Sequence, residues 1–283
     1  MEDAHSRLAL RALPVTMTRR FLLRLLTALI GCFFLLHPRA TLADQIPVHY
    51  QEGVKHGFLS LRSVEGKLLA DGELAQTAQG DRVTDVLTFR FKDGSAFEET
   101  TVFSQRGSFR LLTDHVDEKG PAFPHPMETS IDTATGEVTV RTKGDNGQEE
   151  KFIERLSLPA DVANGLFFVL LKNIPAKPAE TLVSQVVFTP KPHLANLAIA
   201  PRNDESVSKG AIRDQALHYT LQFRMGAVAG WFAALTGKKP ADLQGWVLRG
   251  QAPELVKFEG QFYAGGPVWR IEMSAPQISA REP

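Results

Sequence analysis

The alternation of apolar and polar residues after Asp44 is the feature that most constrains how this chain can fold. Residues 87–91 alternate in this way, residues 97–103 do so again, and the dipeptide Asp93-Gly94 separates the two runs. An Asp-Gly pair between two alternating runs is typical of a β-hairpin, because glycine readily adopts the positive φ that a tight turn requires. The sequence therefore predicts antiparallel pairing here.

Short alternating runs recur along the chain. The run 97–103 puts four residues on one face: Phe97, Glu99, Thr101 and Phe103. Later strands are predicted at residues 109–113, 137–141, 149–156, 181–189, 193–200, 217–223, 245–249, 256–263 and 268–273. The charged segment 202–206 predicts an exposed loop. Strands of this length joined by glycine turns indicate an antiparallel sheet.

One apolar segment interrupts the strand pattern near residues 160–173. Pro159 and Asp161 precede it, and both residues suit the first turn of a helix. The segment is too short to span a membrane, so a buried helix is expected. The predicted fold is mainly β. A single domain, residues 44–283, contains a curved antiparallel sheet, either a half-barrel or a two-sheet clam, with a central apolar helix between two β halves.

The N-terminal 43 residues have the pattern of a secretory signal peptide. Arg19-Arg20 precedes a largely apolar run at residues 21–36, and Ala43 supplies the small residue before a cleavage site. Met17 is an alternative start, because the segment from there makes a signal of ordinary length. We expect an exported protein, periplasmic or extracellular.

Three alternatives for the leader stay open. The apolar stretch 25–36 is shorter than a spanning helix needs, but an uncleaved leader would act as a membrane anchor. The segment 29–32 resembles a lipobox, in which Cys32 would be lipidated. The segment 18–24 resembles a twin-arginine export signal.

The charge balance changes once the leader is set aside. The whole chain has 32 basic and 32 acidic side chains, whereas residues 44–283 have 26 and 30, a formal charge of −4. A formal charge of −4 does not favour nucleic-acid binding, which requires an excess of basic side chains. Cys32 is the only cysteine, so neither a disulfide within the chain nor a cysteine-based metal site is expected.

Three segments carry a resemblance to known proteins: residues 101–112, 119–124 and 265–271. They resemble an uncharacterised family of exported bacterial β-proteins, which has no assigned activity. The architecture is also similar to that of periplasmic half-barrel lipoprotein carriers. That similarity implies an apolar cavity between the sheet and the helix.

The candidate ligand-binding site is a cavity lined by aromatic and aliphatic side chains. The candidate cavity residues are Phe167, Phe168, Leu171, Trp231, Trp246 and Trp269. The apolar segment around Trp231, followed by Lys238-Lys239, also fits contact with a membrane surface or an ordinary core.

A polar cluster gives a weaker candidate for a metal site. Its residues are Asp114, His115, Asp117 and His125, whose side chains are of the types that hold divalent metals. The sequence has no phosphate-binding loop, dinucleotide fingerprint or hydrolase motif.

These observations favour an exported, non-enzymatic β-protein that binds a lipid or another apolar or amphipathic molecule, with no cofactor. The alternative is an envelope interaction or assembly factor that binds a protein partner and no small molecule. A metal-dependent hydrolase is the third hypothesis.

Overall fold

The computed structural model describes residues 45–144, 147–176, 180–188, 191–209, 212–224 and 241–274. All of them belong to one compact unit, Ala43–Pro283. The predicted leader, with Cys32, lies outside the described residues.

The described residues form one antiparallel sheet of fourteen strands and one α-helix. The first meander contains β1 (Lys55–Ser63), β2 (Leu68–Gln79), β3 (Arg82–Phe91), β4 (Ala96–Ser104), β5 (Arg110–Lys119), β6 (Met127–Asp132), β7 (Glu137–Lys143) and β8 (Glu149–Arg155). Helix α1 (Phe167–Asn173) follows. The second meander contains β9 (Thr181–Val187), β10 (His193–Lys209), β11 (Ile212–Arg224), β12 (Leu243–Leu248), β13 (Glu254–Gln261) and β14 (Val268–Met273). The predicted mainly β fold, with a curved antiparallel sheet, is confirmed.

The first and last strands join the two meanders at the middle of the sheet. β1 pairs with β14 in antiparallel register, with Leu61 opposite Ile271. The strand order is therefore β8-β7-β6-β5-β4-β3-β2-β1-β14-β13-β12-β11-β10-β9. The strands on either side of the helix in sequence, β8 and β9, consequently lie at opposite edges of a single sheet.

The hairpin predicted at Asp93-Gly94 is present between β3 and β4. Gly94 has a φ of +87°, and the Ser95 backbone N–H donates to the Asp93 carboxylate over 2.9 Å. Phe89 then faces Phe97 across the two strands, with ring centroids 6.3 Å apart. The turn therefore sets the register that brings apolar residues to the same face.

The apolar face of the sheet encloses a continuous core. Gly72 on β2 lies beneath the fully buried Phe89 ring, and a Cβ atom at this position would overlap that ring. Trp269 packs nearby against Phe91 and Phe123, with centroids 5.3 and 5.9 Å away. Burying a phenylalanine contributes roughly 1.5–3 kcal/mol, so this aromatic layer is a major source of stability.

The helix begins at Phe167, not near residue 160 as the sequence predicted. Asp161 and Asn164 use their side chains to bond the backbone of β9, and Gly165 has a φ of +68°. These residues form a turn and a parallel bridge, Val162 to Ser184, along the β9 edge. Edge pairing therefore replaces the first two predicted helical turns. No helix in the described residues is long and apolar enough to cross a membrane.

The C-terminal end of α1 is held by polar contacts. The Asn173 side chain accepts from the backbone N–H groups of His49 and Tyr50 over 2.9 and 2.8 Å. Lys172 forms a buried ion pair with Glu52, with 2.6 Å between Nζ and Oε1. Such contacts fix the helix on the core, because breaking a buried pair leaves an uncompensated charge.

The segment 202–206 belongs to a strand, so the predicted loop is wrong. β10 continues to Lys209 and pairs with β11 along its length, apart from a register shift between Pro201 and Asp204. The side chains of residues 202–206 are exposed, as expected. Pairing of two strands provides hydrogen bonds for the backbone N–H and C=O groups whatever the polarity of the side chains. The charged composition therefore did not prevent strand formation.

We expect Asn164→Ala to lower the free energy of unfolding by about 3 kcal/mol. The Asn164 amide donates to the Val186 carbonyl and accepts from the Val186 N–H, over 3.0 and 2.8 Å, in a buried position. Each buried group left unpaired costs roughly 1–3 kcal/mol. Urea denaturation measures the loss, and Asn196→Ala, at an exposed position on β10, is the matched control. Equal stabilities of the two variants would contradict this role.

Candidate functional site

A cavity of about 250 Å³ lies against the apolar face of the sheet. Its wall combines β3–β6, the start of α1, the edge strand β9, parts of β11–β14, and residues 261–264. Most of the wall is apolar, with aromatic rings from Phe97, Phe168 and Phe258 among others. Its volume is just below the roughly 300–1,000 Å³ of typical small-molecule sites, which suits a compact ligand.

Helix α1 supplies two of the predicted cavity residues, Phe167 and Phe168. The Phe167 ring stacks on Phe258 at a centroid distance of 5.7 Å. Leu171, one turn later, is fully buried and lies over Gly245, where a Cβ atom would collide with it. Leu171 thus packs the helix against β12 and does not line the cavity.

The two tryptophans in the described residues, Trp246 and Trp269, do not line the cavity. Trp269 is buried in the aromatic layer beside it, packed on Phe91 and Phe123. Trp231 lies outside the described residues. No tryptophan of the described residues is part of the cavity wall.

Trp246 points to the opposite face of the sheet, which corrects its prediction as a cavity residue. Its ring stacks on His218 at 4.6 Å, and Lys257 Nζ lies 3.4 Å from the ring centroid. Its indole N–H donates to Glu205 over 2.8 Å. Trp246 lies opposite His218 on the neighbouring strands β12 and β11. Both side chains therefore point to the face of the sheet opposite to the buried Tyr219, which follows His218 on β11. Trp246 therefore attaches the β10–β11 hairpin to the sheet.

Three carboxyl side chains line the same cavity: Glu99, Asp114 and Glu118. Glu99 comes from β4, and the other two come from alternate positions on β5, so all three face inward. Asp114 is 2% exposed and Glu118 is 6% exposed. Carboxylates are rarely buried this deeply in an apolar wall without a basic partner.

Burial shifts the titration of all three carboxyls. It raises the pKa of Asp114 to about 7, although the Thr101 hydroxyl donates to this side chain over 3.0 Å and opposes the rise. Burial also raises the pKa of Glu118 to about 8. The pKa of Glu99 is raised well above its usual value, first by burial and then by Asp114 and Asp85.

A row of polar side chains crosses the inner face next to the cavity. The strand register places Gln76 opposite Asp85, Asp85 opposite Thr101, and Thr101 opposite Asp114. Burial, with the nearby Glu52 carboxylate, raises the pKa of Asp85 to about 7. Glu99, Asp114 and Glu118 form the acidic wall of the cavity. The row of polar side chains extends from this acidic wall toward the Glu52–Lys172 ion pair.

Two further polar atoms of the wall have no hydrogen-bond partner. They are the Thr129 hydroxyl oxygen, on a side chain that is 4% exposed, and the Gln185 side-chain oxygen. Both residues line the cavity. A buried polar atom without a partner is costly, so each of these marks a place where a ligand group could bond.

The four predicted metal ligands do not come together. Asp114 faces the cavity, whereas His115 is the next residue of the same strand and points to the outer face, where it lies 3.9 Å from Glu128. Asp117 is also on the outer face, paired with Lys119. His125 is exposed in the connection before β6. Within the described ranges, no group of three His, Cys, Asp or Glu side chains is arranged to hold a metal.

The acidic wall is the part of the site that sequence reasoning missed. The signal was present, because Glu99 shares its strand face with Phe97 and Phe103. Asp114 and Glu118 likewise share the inward face of β5 with Val116 and alternate with the outward-facing His115 and Asp117. A charged residue in the apolar phase of a strand is a local conflict of the kind expected at a functional site.

Comparison with known proteins identifies no family. No protein-family model matches the sequence, and no curated protein matches it. Among solved structures, the chain is similar to a beta-barrel-like protein of a domain of unknown function, DUF1849, from Brucella abortus. The two are 9% identical with a TM-score of 0.44, and the match covers 79% of this chain and 97% of the other. A likeness at this level carries no inference about function, so the resemblance to an exported family stays a prediction.

We expect the free energy of unfolding to fall between pH 5 and pH 8 by more than about 2 kcal/mol. The folded-state pKa values of Asp85, Asp114 and Glu118 are raised to about 7, 7 and 8. The folded protein thus keeps protons that the unfolded chain has lost, and this stability disappears as the pH rises through those values. Each unit of pKa shift corresponds to about 1.4 kcal/mol.

Urea denaturation at both pH values tests this dependence. Glu118→Gln should reduce the difference, because the substituted side chain no longer titrates. Glu98→Gln, at an exposed outer position of β4, should leave it unchanged. A protein equally stable at both pH values would show that these carboxyls do not titrate as the burial implies.

Proposed function

We propose that this chain is an exported protein that binds a compact apolar or amphipathic molecule in the cavity beside α1. The observation that carries the proposal is the cavity itself, with about 250 Å³ lined mostly by aromatic and aliphatic side chains. Protein interiors are ordinarily packed as densely as organic crystals, with few voids larger than a water molecule. An apolar cavity with a few polar groups is the usual form of a small-molecule site.

The support for export is the leader. Residues 1–43 combine a basic start, an apolar run and a small residue before the expected cleavage site. Residues 44–283 contain no cysteine, which suits an oxidising compartment because no thiol can mispair there. Binding and carrying a ligand there requires no chemical step.

The rigid placement of α1 supports binding over simple incomplete packing. The helix is attached at its C-terminal end through Asn173 and the Glu52–Lys172 pair, and the Tyr219 hydroxyl donates to the Ile174 carbonyl over 2.7 Å. With this end held, the helix cannot shift to fill the cavity without breaking these buried contacts. A preformed site of this kind binds its ligand at a low cost in ordering.

We expect the purified protein to bind the neutral apolar fluorophore N-phenyl-1-naphthylamine, and Val116→Trp to weaken that binding at least tenfold. Val116 is half-buried at the centre of the acidic part of the wall, so an indole ring there occupies the ligand volume. Fluorescence titration gives the affinities. Val64→Trp places the same ring at an exposed turn and is the matched control.

Native mass spectrometry of the protein purified from its own cells supplies a second measurement. A small molecule that stays bound to the wild type and is lost from Val116→Trp would support the proposal. If wild type and both variants bind the fluorophore alike, the cavity is not the binding site, and if none binds it the proposal fails.

A further inference from the structure

The described side chains of the cavity wall that can carry a charge are all acidic. Three carboxyls face the cavity, Glu99, Asp114 and Glu118, and the described residues of the wall include no lysine, arginine or histidine. Lys172, a buried cation on α1, is already paired with Glu52, with 2.6 Å between their charged atoms. The wall therefore offers acceptor oxygens with no internal positive charge to neutralise them.

The positions of the carboxyls follow from the strand register. Glu99 lies opposite Val116, midway between Asp114 and Glu118 along β5, and Val116 lies opposite Thr129 on β6. The three carboxyls thus surround one patch of wall on two adjacent strands. Gly165 packs directly on Thr101 and Asp114, where a Cβ atom would collide with both side chains. This contact closes the patch on the side of α1.

The oxygen atoms without partners lie in the same wall. The Thr129 hydroxyl oxygen is buried without a hydrogen bond on the strand next to the carboxyls, and the Gln185 side-chain oxygen faces the cavity from β9. Gln185 is a residue of the opposite edge of the sheet, so acceptors converge on the cavity from two sides. A ligand group with several N–H donors would satisfy them.

The remainder of the wall suits the other end of such a ligand. Aromatic rings of Phe97, Phe167, Phe168 and Phe258 line the cavity together with aliphatic side chains. A ring face attracts a cation as well as covering a hydrocarbon, and the attraction is stronger where water is excluded. A molecule with an ammonium group and a short apolar body matches both parts of the wall.

We propose that the cavity selects a compact amphipathic amine, held with its ammonium group against Glu99, Asp114 and Glu118 and its apolar part against the α1 phenylalanines. This inference rests on the proposed ligand-binding function and names the ligand class. A metal ion fits less well, because no three metal-ligating side chains of the described residues are arranged for coordination. An ionised carboxylic acid ligand would add a further negative charge to a wall whose described residues include no cation.

Proton release should accompany amine binding. Asp85 on β3 acts electrostatically on Glu99, and Glu118 acts on Tyr263 after β13. Asp117 acts on Glu118 from the outer face of β5, and Lys55 and Lys172 act on Asp85. Burial keeps the pKa of Asp114 near 7 and that of Glu118 near 8. An ammonium group favours the ionised carboxylates, so the affinity for an amine rises from pH 5 to pH 8. An acidic ligand would show the opposite dependence.

Three probes of equal chain length test the proposal by isothermal titration calorimetry on the purified protein: octylammonium, 1-octanol and octanoate. At pH 8 we expect octylammonium to bind at least tenfold more tightly than 1-octanol, and octanoate to bind most weakly. The octylammonium affinity should increase at least threefold from pH 5 to pH 8, while the 1-octanol affinity stays constant.

Variants assign the selectivity to the carboxyls. The double variant Glu99→Gln and Glu118→Gln should lose most of its selectivity for octylammonium over 1-octanol, because only Asp114 of the three carboxyls remains. Its 1-octanol affinity should be unchanged, which also shows that the cavity is intact. Glu98→Gln, the exposed neighbour on β4, should behave as wild type. Removing buried carboxyls relieves a desolvation cost, so the double variant is expected to fold.

The outcomes separate the two proposals. If 1-octanol binds but octylammonium binds no better, or if octanoate binds best, the amine proposal is overturned and the ligand-binding function stands. Selectivity for octylammonium that stays at the wild-type level in the double variant also overturns it, because the loss of two of the three carboxyls would then have no effect. If no probe binds to the wild type, both proposals fail.

Discussion

The pairing of β1 with β14 is the interaction on which the rest of the structure depends. It joins two meanders that are each built from sequential hairpins, and so makes one sheet of fourteen strands. Because the join is central, β8 and β9 are left at the two edges. The connection between them carries α1 to the apolar face, and this places Phe167 and Phe168 in the wall of the cavity.

The acidic wall has a thermodynamic cost that the rest of the fold offsets. Asp85, Asp114 and Glu118 lie in the core without an ion pair to a described basic side chain, and burial of their ionised forms is unfavourable. The aromatic layer around Trp269 and the packing of Leu171 on Gly245 supply apolar burial on either side. The residues that stabilise the fold and the carboxyls proposed to bind a ligand therefore lie close together in the same sheet.

Local pattern predicted the elements of this fold but not their assembly. Asp93-Gly94 identified a hairpin because turn type and register are encoded within a few residues. The helix was predicted six or seven residues too long, since the hydrogen bonds of Asn164 to β9 depend on a strand that follows it in sequence. Trp246 was misplaced because an aromatic residue in a strand reveals burial without revealing which face is buried. Glu99 was visible in the inward phase, but only the register shows that it meets Asp114 and Glu118.

The central join also determines the order in which the molecule can assemble. Val64 and Arg270 touch across the sheet although 206 residues separate them in sequence. Each meander can form from local hairpins, yet the two can unite only after β14 is available, near the end of the described chain. Contacts of such long sequence separation slow folding, because loop-closure entropy is lost before they form. Until that last strand pairs, β1 remains an open edge in the middle of the future sheet, and during this interval the chain is most exposed to pairing with other molecules.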